Sequence, residues 1–468
     1  MRMLIISASD TRAMARLIER DEARQPAVER TAARIIADVR KRGDVAVADY
    51  ERRFKMTSGA EKNTGCFFGA DGWKKTPGVF FAPADFRRAA AALSAAERRA
   101  LERSAGRIAA IARRQVPRGF TARPASGVTV EQRVAPLDRV GCYVPGGRFP
   151  LPSTLLMTAI PARAAGVREV VVCCPRPTAA VLAAAAAAGV DALYPIGGAQ
   201  AIAALAYGTA TIARVDKIVG PGNAWVAAAK ALVARDCPID LHAGPSEIVI
   251  CSDRGRADWI AADLIAQAEH DPAARAILVT TKSALARAVS AEVASQVRQL
   301  SDADWGAIGP PPARSIGSTP VAAGIANGAI VVARSRDQAT DIVNRLAPEH
   351  LVCDTAADVR RFTAAGTIFV GQWSAQASGD YATGSNHVLP TGGAARFRGG
   401  LSAADFVRVF SVQTLTRRGI ETIGPDAIAL ARIEGLAAHA ASISQRMGRR
   451  GLLAQAPPSP RQFKRISR

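Results

Sequence analysis

An acid and an imidazole stand side by side at Glu349 and His350, directly after Pro348, in the otherwise apolar run RLAPEHLVC. A carboxylate can activate water, and an imidazole with a pKa near ~6.5 can exchange protons at neutral pH. Only five histidines occur in the 468 residues, so this pairing is informative. Because proline disfavours helix at the preceding residue, we expect the pair to follow a helix end, at a strand-to-helix type of junction.

Two further pairs of polar residues could serve as ligands. Gln267 and His270 are three residues apart in LIAQAEHD, which places them on one face of a predicted helix. That spacing suits a metal, although by itself it favours a capping or surface role. Asp380 and His387 lie in GDYATGSNHVLPT, a stretch rich in Gly, Ser, Thr and Asn that is typical of a binding loop.

Two residues near the carboxyl end carry less information. Glu434 and His439 are five residues apart on a predicted helix, so they do not share a face. Taken singly, both are compatible with ordinary helix residues. His242 is interpreted as a local packing or hydrogen-bonding residue.

Glycine-rich turns follow three predicted strands, in the strings VPGG, IGGAQA and VGPGNA. None is GxGxxG, so the standard dinucleotide fingerprint is absent. Glycine still lets a ligand approach the backbone, and the next helix offers free N–H groups to phosphate. Each turn alone is equally compatible with tight packing. Together, with Tyr143, Gln200 and Asn223 close to them, they favour a nucleotide-binding unit.

The elements that must position these residues alternate from Arg139 onwards. Short apolar strands such as RVGCYV and EVVVCC are separated by helices, and a second series follows with SEIVICS, ARAILVTT, GAIVVA, HLVC and TIFVG. This rhythm indicates parallel sheets covered on both faces. We therefore predict an α/β fold with two Rossmann-like parallel-sheet units and helical N- and C-terminal pieces. Ligands of such sheets bind beyond the carboxyl ends of the strands, so we expect the chemistry there.

Composition limits the class of protein. A hydrophobic content of 49% with 22% charged residues is that of a globular protein, and no apolar run reaches the ~20 residues of a membrane span. We expect a cytoplasmic protein, and the seven cysteines, with no CxxC pair, do not indicate disulfides. The net charge of +21 is compatible with nucleic-acid binding, but its basic clusters are scattered and largely lack aromatic residues, which favours a solvated basic surface.

The strings themselves resemble one family closely. GCYVPGGRFPLPSTLLMTAIPARAAGV, IGGAQAIAALAYGT, KIVGPGNAWVAAAK, AGPSEI, AQAEHD, LAPEHL, GDYATGSNHVLPT and LSAADF, in this order, are similar to histidinol dehydrogenase from about Ala27 to Ala441. The resemblance implies oxidation of L-histidinol through L-histidinal to L-histidine, the last steps of histidine biosynthesis. It also implies two NAD reduced per turnover, one zinc per active site, and a homodimer whose subunits share active sites.

Residue roles follow from the same resemblance. Glu349 matches the base that activates water, and His350 matches the catalytic group that handles the alcohol proton. The implied zinc ligands are Gln267, His270, Asp380 and, from the neighbouring subunit, His439. The implied substrate positions are Ser246, Gln267, His270, His350, Asp380, His387, Glu434 and His439. The implied NAD contacts are Tyr143, Gln200 and Asn223.

The implied domain organisation has five parts. We predict an N-terminal arm (1–26), a helical segment (27–138) joined with 247–400 in the α/β domain that carries the metal and the Glu–His pair, an NAD-binding domain (139–246), a C-terminal helical piece that contacts the partner subunit (401–450), and a basic, disordered tail (451–468). The segment 56–78 looks longer than the family needs.

Two other hypotheses stay open at this stage. One retains the fold, zinc and NAD but changes the substrate to another amino alcohol or a small diol. The other is a basic, non-catalytic protein that binds nucleic acid, which predicts a steep salt dependence and gives no reason for the Glu–His pair.

Overall fold

The computed structural model describes residues 3–19, 26–57, 80–146, 151–242, 244–303 and 320–448. Residues 58–78 of the expected insertion, Cys66 and the basic tail 451–468 lie outside these ranges. The chain divides into two compact units: a first unit of Met1–Val116 with Leu137–Phe406, and a second unit of Pro117–Pro136 with Val407–Arg468.

The strands of the described residues are numbered in chain order: β1 (Leu4–Ser7), β2 (Phe120–Ala125), β3 (Val128–Pro136), β4 (Arg139–Tyr143), β5 (Glu169–Cys173), β6 (Ala192–Tyr194), β7 (Lys217–Val219), β8 (Glu247–Cys251), β9 (Arg275–Thr280), β10 (Ala329–Val332), β11 (His350–Cys353), β12 (Thr367–Val370) and β13 (Val407–Leu415). The helices are α1 (Thr11–Ile18), α2 (Pro26–Arg42), α3 (Asp44–Thr57), α4 (Pro83–Ala92), α5 (Ala95–Gln115), α6 (Pro152–Ala164), α7 (Ala179–Ala188), α8 (Gly198–Tyr207), α9 (Ala224–Val233), α10 (Ala257–His270), α11 (Ser283–Ala303), α12 (Pro320–Ala326), α13 (Arg336–Leu346), α14 (Ala356–Val359), α15 (Gln376–Tyr381), α16 (Arg417–Ile433) and α17 (Ala437–Arg446).

The larger sheet of the first unit has six parallel strands in the order β1-β10-β9-β8-β11-β12. Its strands are apolar on both faces because helices cover both. Ile248 and Ile250 of β8 belong to the core that contains α10 to α12, and Val249 belongs to the core that contains α1 and α13. Strand order reverses at β8, since β9 and β10 follow on one side and β11 and β12 on the other.

The smaller sheet of the first unit has four parallel strands in the order β6-β5-β4-β7. It reverses between β4 and β7, because β5 and β6 lie on one side of β4 and β7 on the other. Helices α2, α8 and α9 pack together in one layer, while α4, α5, α6 and α7 contact one another in a second. Two parallel sheets with helices at both ends of the chain confirm the predicted α/β class.

Two details of the predicted domain division are wrong. The helices of 27–116 pack on the helices of the smaller sheet, with α2 against α8 and α9, and α5 against α6 and α7. The N-terminal arm instead contributes β1 to the larger sheet, where it pairs with β10. The physical reason is burial: Ile35, Ile36 and Val39 of α2 complete the core beside α8.

The second unit contains an antiparallel sheet that the sequence did not predict. Strands β13, β3 and β2 pair in that order, so the segments predicted as helical over 27–138 and 401–450 each contain strand. VTVEQRVAP and VRVFSVQTL lack the continuous apolar sequence of a buried strand, because β3 is mostly half-buried and β13 is mostly exposed. Helices α16 and α17 pack on each other through a small core that includes Ile428 and Ala440.

Two bulk properties of the described residues complete the description. None of their helices has the length and apolarity that crossing a bilayer requires. Their cysteines are free thiols: Cys142, Cys173, Cys174, Cys237, Cys251 and Cys353.

Candidate functional site

The Glu–His pair lies where α13 ends and β11 begins. Helix α13 ends at Leu346, Ala347 follows with a left-handed φ of +42°, and after Pro348 and Glu349 the strand starts at His350. The expected helix end before Pro348 is therefore present. The expected strand-to-helix junction is wrong: the pair occupies the amino end of β11, beside the amino end of β8, which pairs with it in parallel.

Glu349 is enclosed and only 4% exposed. Its Oε2 accepts a hydrogen bond from the backbone N–H of Glu247 at 2.9 Å, and its side chain also bonds the side chain of Ser246. Burial raises the pKa of Glu349 well above its usual value, and the nearby carboxylates of Glu247 and Asp380 act in the same direction. The carboxyl group is thus held in place and made more basic than a free glutamate.

His350 is held in one tautomer by its backbone neighbour. Nδ1 lies 3.2 Å from the carbonyl oxygen of Glu247, a group that only accepts, so Nδ1 carries the hydrogen and donates it. Nε2 is then the basic nitrogen of the ring, and it lies 3.9 Å from Oδ1 of Asp380. A buried imidazole with an oriented basic nitrogen is suited to accepting a proton from a bound ligand.

Asp380 brings two of the predicted histidines together. Its Oδ1 is 3.9 Å from Nε2 of His350 and 3.9 Å from Nδ1 of His387. These distances exceed a hydrogen bond, so the three side chains converge without bonding directly. The carboxylate is oriented by Gln376, whose Nε2 donates to Oδ2 at 2.9 Å, and Nε2 of His387 lies 3.0 Å from the hydroxyl of Thr154.

Gln267 is fully buried in α10, and neither Nε2 nor Oε1 has a hydrogen-bond partner among the described residues. Two orphaned polar atoms in a protein interior cost stability, so they require an explanation such as a ligand. Helix α10 contacts α15, which carries Asp380, and ends at His270. The amide of Gln267, the carboxylate of Asp380 and the imidazole of His270 are side-chain types that can bind a zinc ion.

The described residues contain no group of three or more His, Cys, Asp or Glu arranged to hold a metal. The predicted ligand set includes the amide of Gln267, which is not one of these residue types, and its His439 was predicted to come from the neighbouring subunit. Glu434 follows the last residue of α16, and His439 lies on α17; both side chains are exposed in that unit.

The three predicted cofactor residues follow strands of the smaller sheet. Tyr143 is the last residue of β4, Asn223 caps α9 after β7, and Gln200 lies in the first turn of α8 after β6. The strand order reverses between β4 and β7, and such a reversal opens a crevice at the carboxyl edge of a parallel sheet. Tyr143 and Asn223 therefore lie at this edge, after the two strands that flank the reversal.

A buried ion pair fixes the turn before Asn223. Gly220 has a φ of +111°, and a Cβ there would lie 2.1 Å from the carbonyl oxygen of Tyr143, so only glycine fits. The backbone N–H of Gly220 donates a hydrogen bond to the carboxylate of Asp240 at 2.6 Å, and the carbonyl oxygen of Gly220 accepts one from Nζ of Lys230 at 2.7 Å. Lys230 and Asp240 also form a salt bridge with each other. The N–H and the carbonyl oxygen of Gly220 are therefore both held by the Lys230–Asp240 ion pair.

Lys230→Met is expected to lower the free energy of unfolding by about 3–5 kcal/mol, because it leaves the carboxylate of Asp240 buried without its counter-ion. Urea denaturation of the wild-type chain and the variant measures the difference. The exposed Lys282 provides the matched control, since Lys282→Met changes net charge equally and should shift stability by less than about 0.5 kcal/mol. A Lys230→Met chain as stable as the control would contradict this account of the turn.

At the carboxyl edge of the larger sheet, where ligands were expected, polar side chains bond one another beside a pocket lined by Ser252, Asp253 and Asp354. Asp354 accepts hydrogen bonds from the hydroxyl of Ser252 and the N–H of Asp253, and Asp253 accepts two from Thr281. None of the predicted site residues lines this pocket. The polar residues of the candidate site instead gather at the opposite edge.

Several residues that support the site were not predicted. Glu247 supplies backbone contacts to both Glu349 and His350, and it follows Ser246 in the string AGPSE that was already conspicuous. Gln376 and Thr154 orient Asp380 and His387, but nothing in their local sequence distinguishes them from ordinary polar residues. Glu51 bonds Gln200 from α3, a contact between residues 149 positions apart that no local pattern reveals.

Comparison with known proteins gives a consistent result. The histidinol dehydrogenase family model matches residues 18–447. The histidinol dehydrogenase of Bordetella parapertussis is 41% identical over 461 residues, covering 95% of this chain and 98% of that protein, and that of Cereibacter sphaeroides is 44% identical over 438 residues, covering 91% and 93%. The crystal structure of histidinol dehydrogenase from Elizabethkingia anophelis superposes with a TM-score of 0.83 at 29% identity, covering 95% of this chain and 98% of that one.

Proposed function

The chain belongs to the histidinol dehydrogenase family, which makes it an oxidoreductase of histidine biosynthesis, and from that premise we propose that it oxidises L-histidinol through L-histidinal to L-histidine. NAD is the proposed hydride acceptor, used twice, and zinc is the proposed metal. The observation that carries the proposal is the convergence of Glu349, His350, Asp380 and His387 at the amino end of β11.

His350 acts in the first oxidation. When a hydride leaves the alcohol carbon, the proton on the hydroxyl oxygen must also leave so that a carbonyl can form. Nε2 of His350 is the basic nitrogen that accepts this proton. The bond from Nδ1 to the carbonyl of Glu247 keeps this orientation and stabilises the charged ring once the proton has arrived.

Glu349 acts in the second oxidation. An aldehyde gives up a hydride to NAD only after water has added to it, so a base must take a proton from that water. Glu349 is the buried carboxyl beside His350, with its Oε2 3.7 Å from Nδ1. Enclosure makes it a stronger base once ionised, and the N–H of Glu247 fixes its position.

The proposed zinc site uses the orphaned amide of Gln267, His270 and Asp380, with His439 supplied by a second subunit. Bound zinc would hold the imidazole and amino group of the substrate and so fix the reacting carbon. Asp380 is oriented for this role by Gln376. The proposed NAD contacts are Tyr143, Gln200 and Asn223, at or near the reversal of the smaller sheet.

Ser246, His387 and Glu434 complete the proposed substrate contacts. Glu434 is supplied, like His439, by the partner of a homodimer. Supporting this, large hydrophobic side chains around Glu434 are exposed in the second unit: Leu430 by 60%, Ile433 by 81% and Leu436 by 40%. An apolar patch beside two polar candidate ligands is the composition of a protein interface.

The direct test measures NADH formation from L-histidinol with zinc present. We expect two NADH for each L-histidine produced, and loss of activity after a chelator removes the metal, with recovery on adding zinc. Turnover of another amino alcohol or a small diol, with none of L-histidinol, would replace the proposed substrate while retaining the family.

Gln267→Met is expected to raise the stability of the metal-free chain by about 1–3 kcal/mol, because it removes two buried atoms that have no partner. The same change should abolish the thermal stabilisation by zinc and reduce the zinc content after dialysis. Thermal unfolding with and without zinc measures the stability and its change on zinc binding, and metal analysis of the dialysed protein measures the zinc content. Gln296→Met is the matched control, since Gln296 donates a hydrogen bond to the carbonyl of Asp258. The Gln296→Met chain should be less stable than wild type and should retain zinc. A metal-free Gln267→Met chain that is less stable than wild type would contradict the ligand role.

A further inference from the structure

The amino end of α8 is bonded by a carboxylate from a distant helix. Gly197, the residue before α8, has no capping side chain of its own. Its N–H donates to Oε1 of Glu51 on α3 at 2.9 Å, and Nε2 of Gln200 donates to the same oxygen at 2.9 Å. The next N–H, that of Gly198, donates to the hydroxyl of Tyr143 at 3.1 Å. A carboxylate thus already accepts hydrogen bonds from the N–H of Gly197 and from the side chain of Gln200.

Gln200 gives an independent sign that a ligand belongs at this place. The residue is only 2% exposed, and its Oε1 has no hydrogen-bond partner among the residues that the structure describes. Its Nε2, in contrast, is engaged by Glu51. The Nε2 of this buried amide is hydrogen-bonded and its Oε1 is not, so a bound ligand that carries a hydrogen-bond donor can bind Oε1.

The position of this carboxylate opposes the binding of phosphate. Gly197 and Gly198 follow β6 at the carboxyl edge of the smaller sheet, the edge that carries Tyr143. A helix amino end at such an edge is where the pyrophosphate of a dinucleotide is stabilised, by free N–H groups and by the helix dipole. Glu51 uses the same N–H of Gly197 and carries the same sign of charge, so the two anions exclude each other.

We propose that Glu51 weakens NAD binding by competing with the cofactor's pyrophosphate for the amino end of α8. The inference rests on the proposed function for the use of NAD, and it goes further by assigning to Glu51 control of cofactor affinity. Glu51 is a positioning residue in this account: it touches Gly197 and Gln200 and takes no part in proton transfer.

The test replaces Glu51 by glutamine, which keeps an oxygen for both hydrogen bonds and removes only the charge. NADH binding is followed by fluorescence titration of the full chain, together with KM for NAD, KM for L-histidinol and kcat. We expect Glu51→Gln to bind NADH roughly 3- to 10-fold more tightly and to lower KM for NAD by the same factor, with kcat and KM for L-histidinol unchanged. Glu51→Ser is measured in parallel, so that a folding defect in one variant does not decide the outcome.

Two controls separate charge from contact. Glu102 is exposed on α5, and Glu102→Gln changes the net charge equally, so its affinity for NADH should match that of wild type. Inorganic pyrophosphate and adenosine are used as competitors of NADH. Glu51→Gln should tighten pyrophosphate binding and leave adenosine binding unchanged, because adenosine has the ribose without the phosphates.

The outcomes are distinct. Tighter NADH and pyrophosphate binding in the Glu51 variants, absent in Glu102→Gln, supports the inference. Weaker NADH and adenosine binding would show that Glu51 binds the ribose, and unchanged binding would show a purely structural cap; either overturns it. A wild-type chain that binds no NADH and forms none from L-histidinol overturns the proposed function together with the inference, whereas wild-type activity with unaltered variants overturns the inference alone.

Discussion

Glu349→Gln is expected to reduce the oxidation of L-histidinal by about 10²- to 10⁴-fold, the range that a positioned general base supplies. The oxidation of L-histidinol should fall by less than about tenfold, because its proton passes to Nε2 of His350 and not to Glu349. Glutamine keeps the size of the side chain and an oxygen for the N–H of Glu247, so the fold of the β8–β11 edge should be preserved. The two half-reactions would therefore separate.

Single-turnover kinetics with each substrate measure the two steps independently. The comparison variant is His350→Gln, which removes the proposed acceptor of the alcohol proton and should slow the first oxidation. Thermal unfolding of both variants checks that the fold is intact. If Glu349→Gln slows both oxidations by the same factor, the residue does not act as the base for water, and a role in holding the site together would explain the loss.

A mixture of Glu349→Gln and His439→Asn chains is expected to recover about a quarter of the wild-type rate of L-histidine formation after subunit exchange, although each variant alone forms almost no L-histidine. In a mixed dimer, one site combines the intact Glu349 of one chain with the intact His439 of the other. Half of the dimers are mixed and half of their sites are whole, which gives the expected fraction. The assay follows the formation of L-histidine from L-histidinol after denaturing and refolding the mixture, because Glu349→Gln chains still form NADH in the first oxidation.

The matched control mixes Glu349→Gln with His350→Gln chains. Both residues lie at the amino end of β11, so every site formed by such a mixture carries one defect and no activity should return. Recovery in this control, or its absence in the first mixture, would contradict a site shared between subunits. Zinc content of the His439→Asn chain gives a second measure, since this variant should bind the metal more weakly.

The buried strands were predictable because, in a sequence that alternates strands and helices, a short continuous run of apolar residues has few possible structures other than a buried strand. EIVIC and RAILVT become neighbouring strands of the larger sheet, and RVGCYV and EVVVCC become neighbours in the smaller. The antiparallel sheet of the second unit was missed because β3 and β13 pair residues that are 271 (Val407 and Pro136) to 287 (Leu415 and Val128) positions apart, and neither strand is a continuous buried run. Pairing at such separation leaves no local periodicity to detect.

The candidate site was predictable in its residues and less so in its geometry. Glu349, His350, Asp380 and His387 are rare types in conspicuous strings, and they do converge. Their edge of the sheet was predicted wrongly, since Glu349 and His350 lie at the amino end of β11, whereas the pocket lined by Asp253 and Asp354 lies at the carboxyl edge. Gln376, Thr154 and Glu51 act through contacts with residues distant in sequence or through orientation alone, and these depend on packing that a linear text does not display.

The use of opposite edges by the two sheets has an evolutionary consequence. Under the proposed function, the dinucleotide is recognised beyond the carboxyl ends of β4 and β7, while the proton-transferring pair occupies the amino end of β11. These segments are separate in sequence and belong to different sheets. Mutations can therefore change the cofactor preference without changing the alcohol substrate. Likewise, a new substrate specificity can evolve while the cofactor-binding sheet stays unchanged.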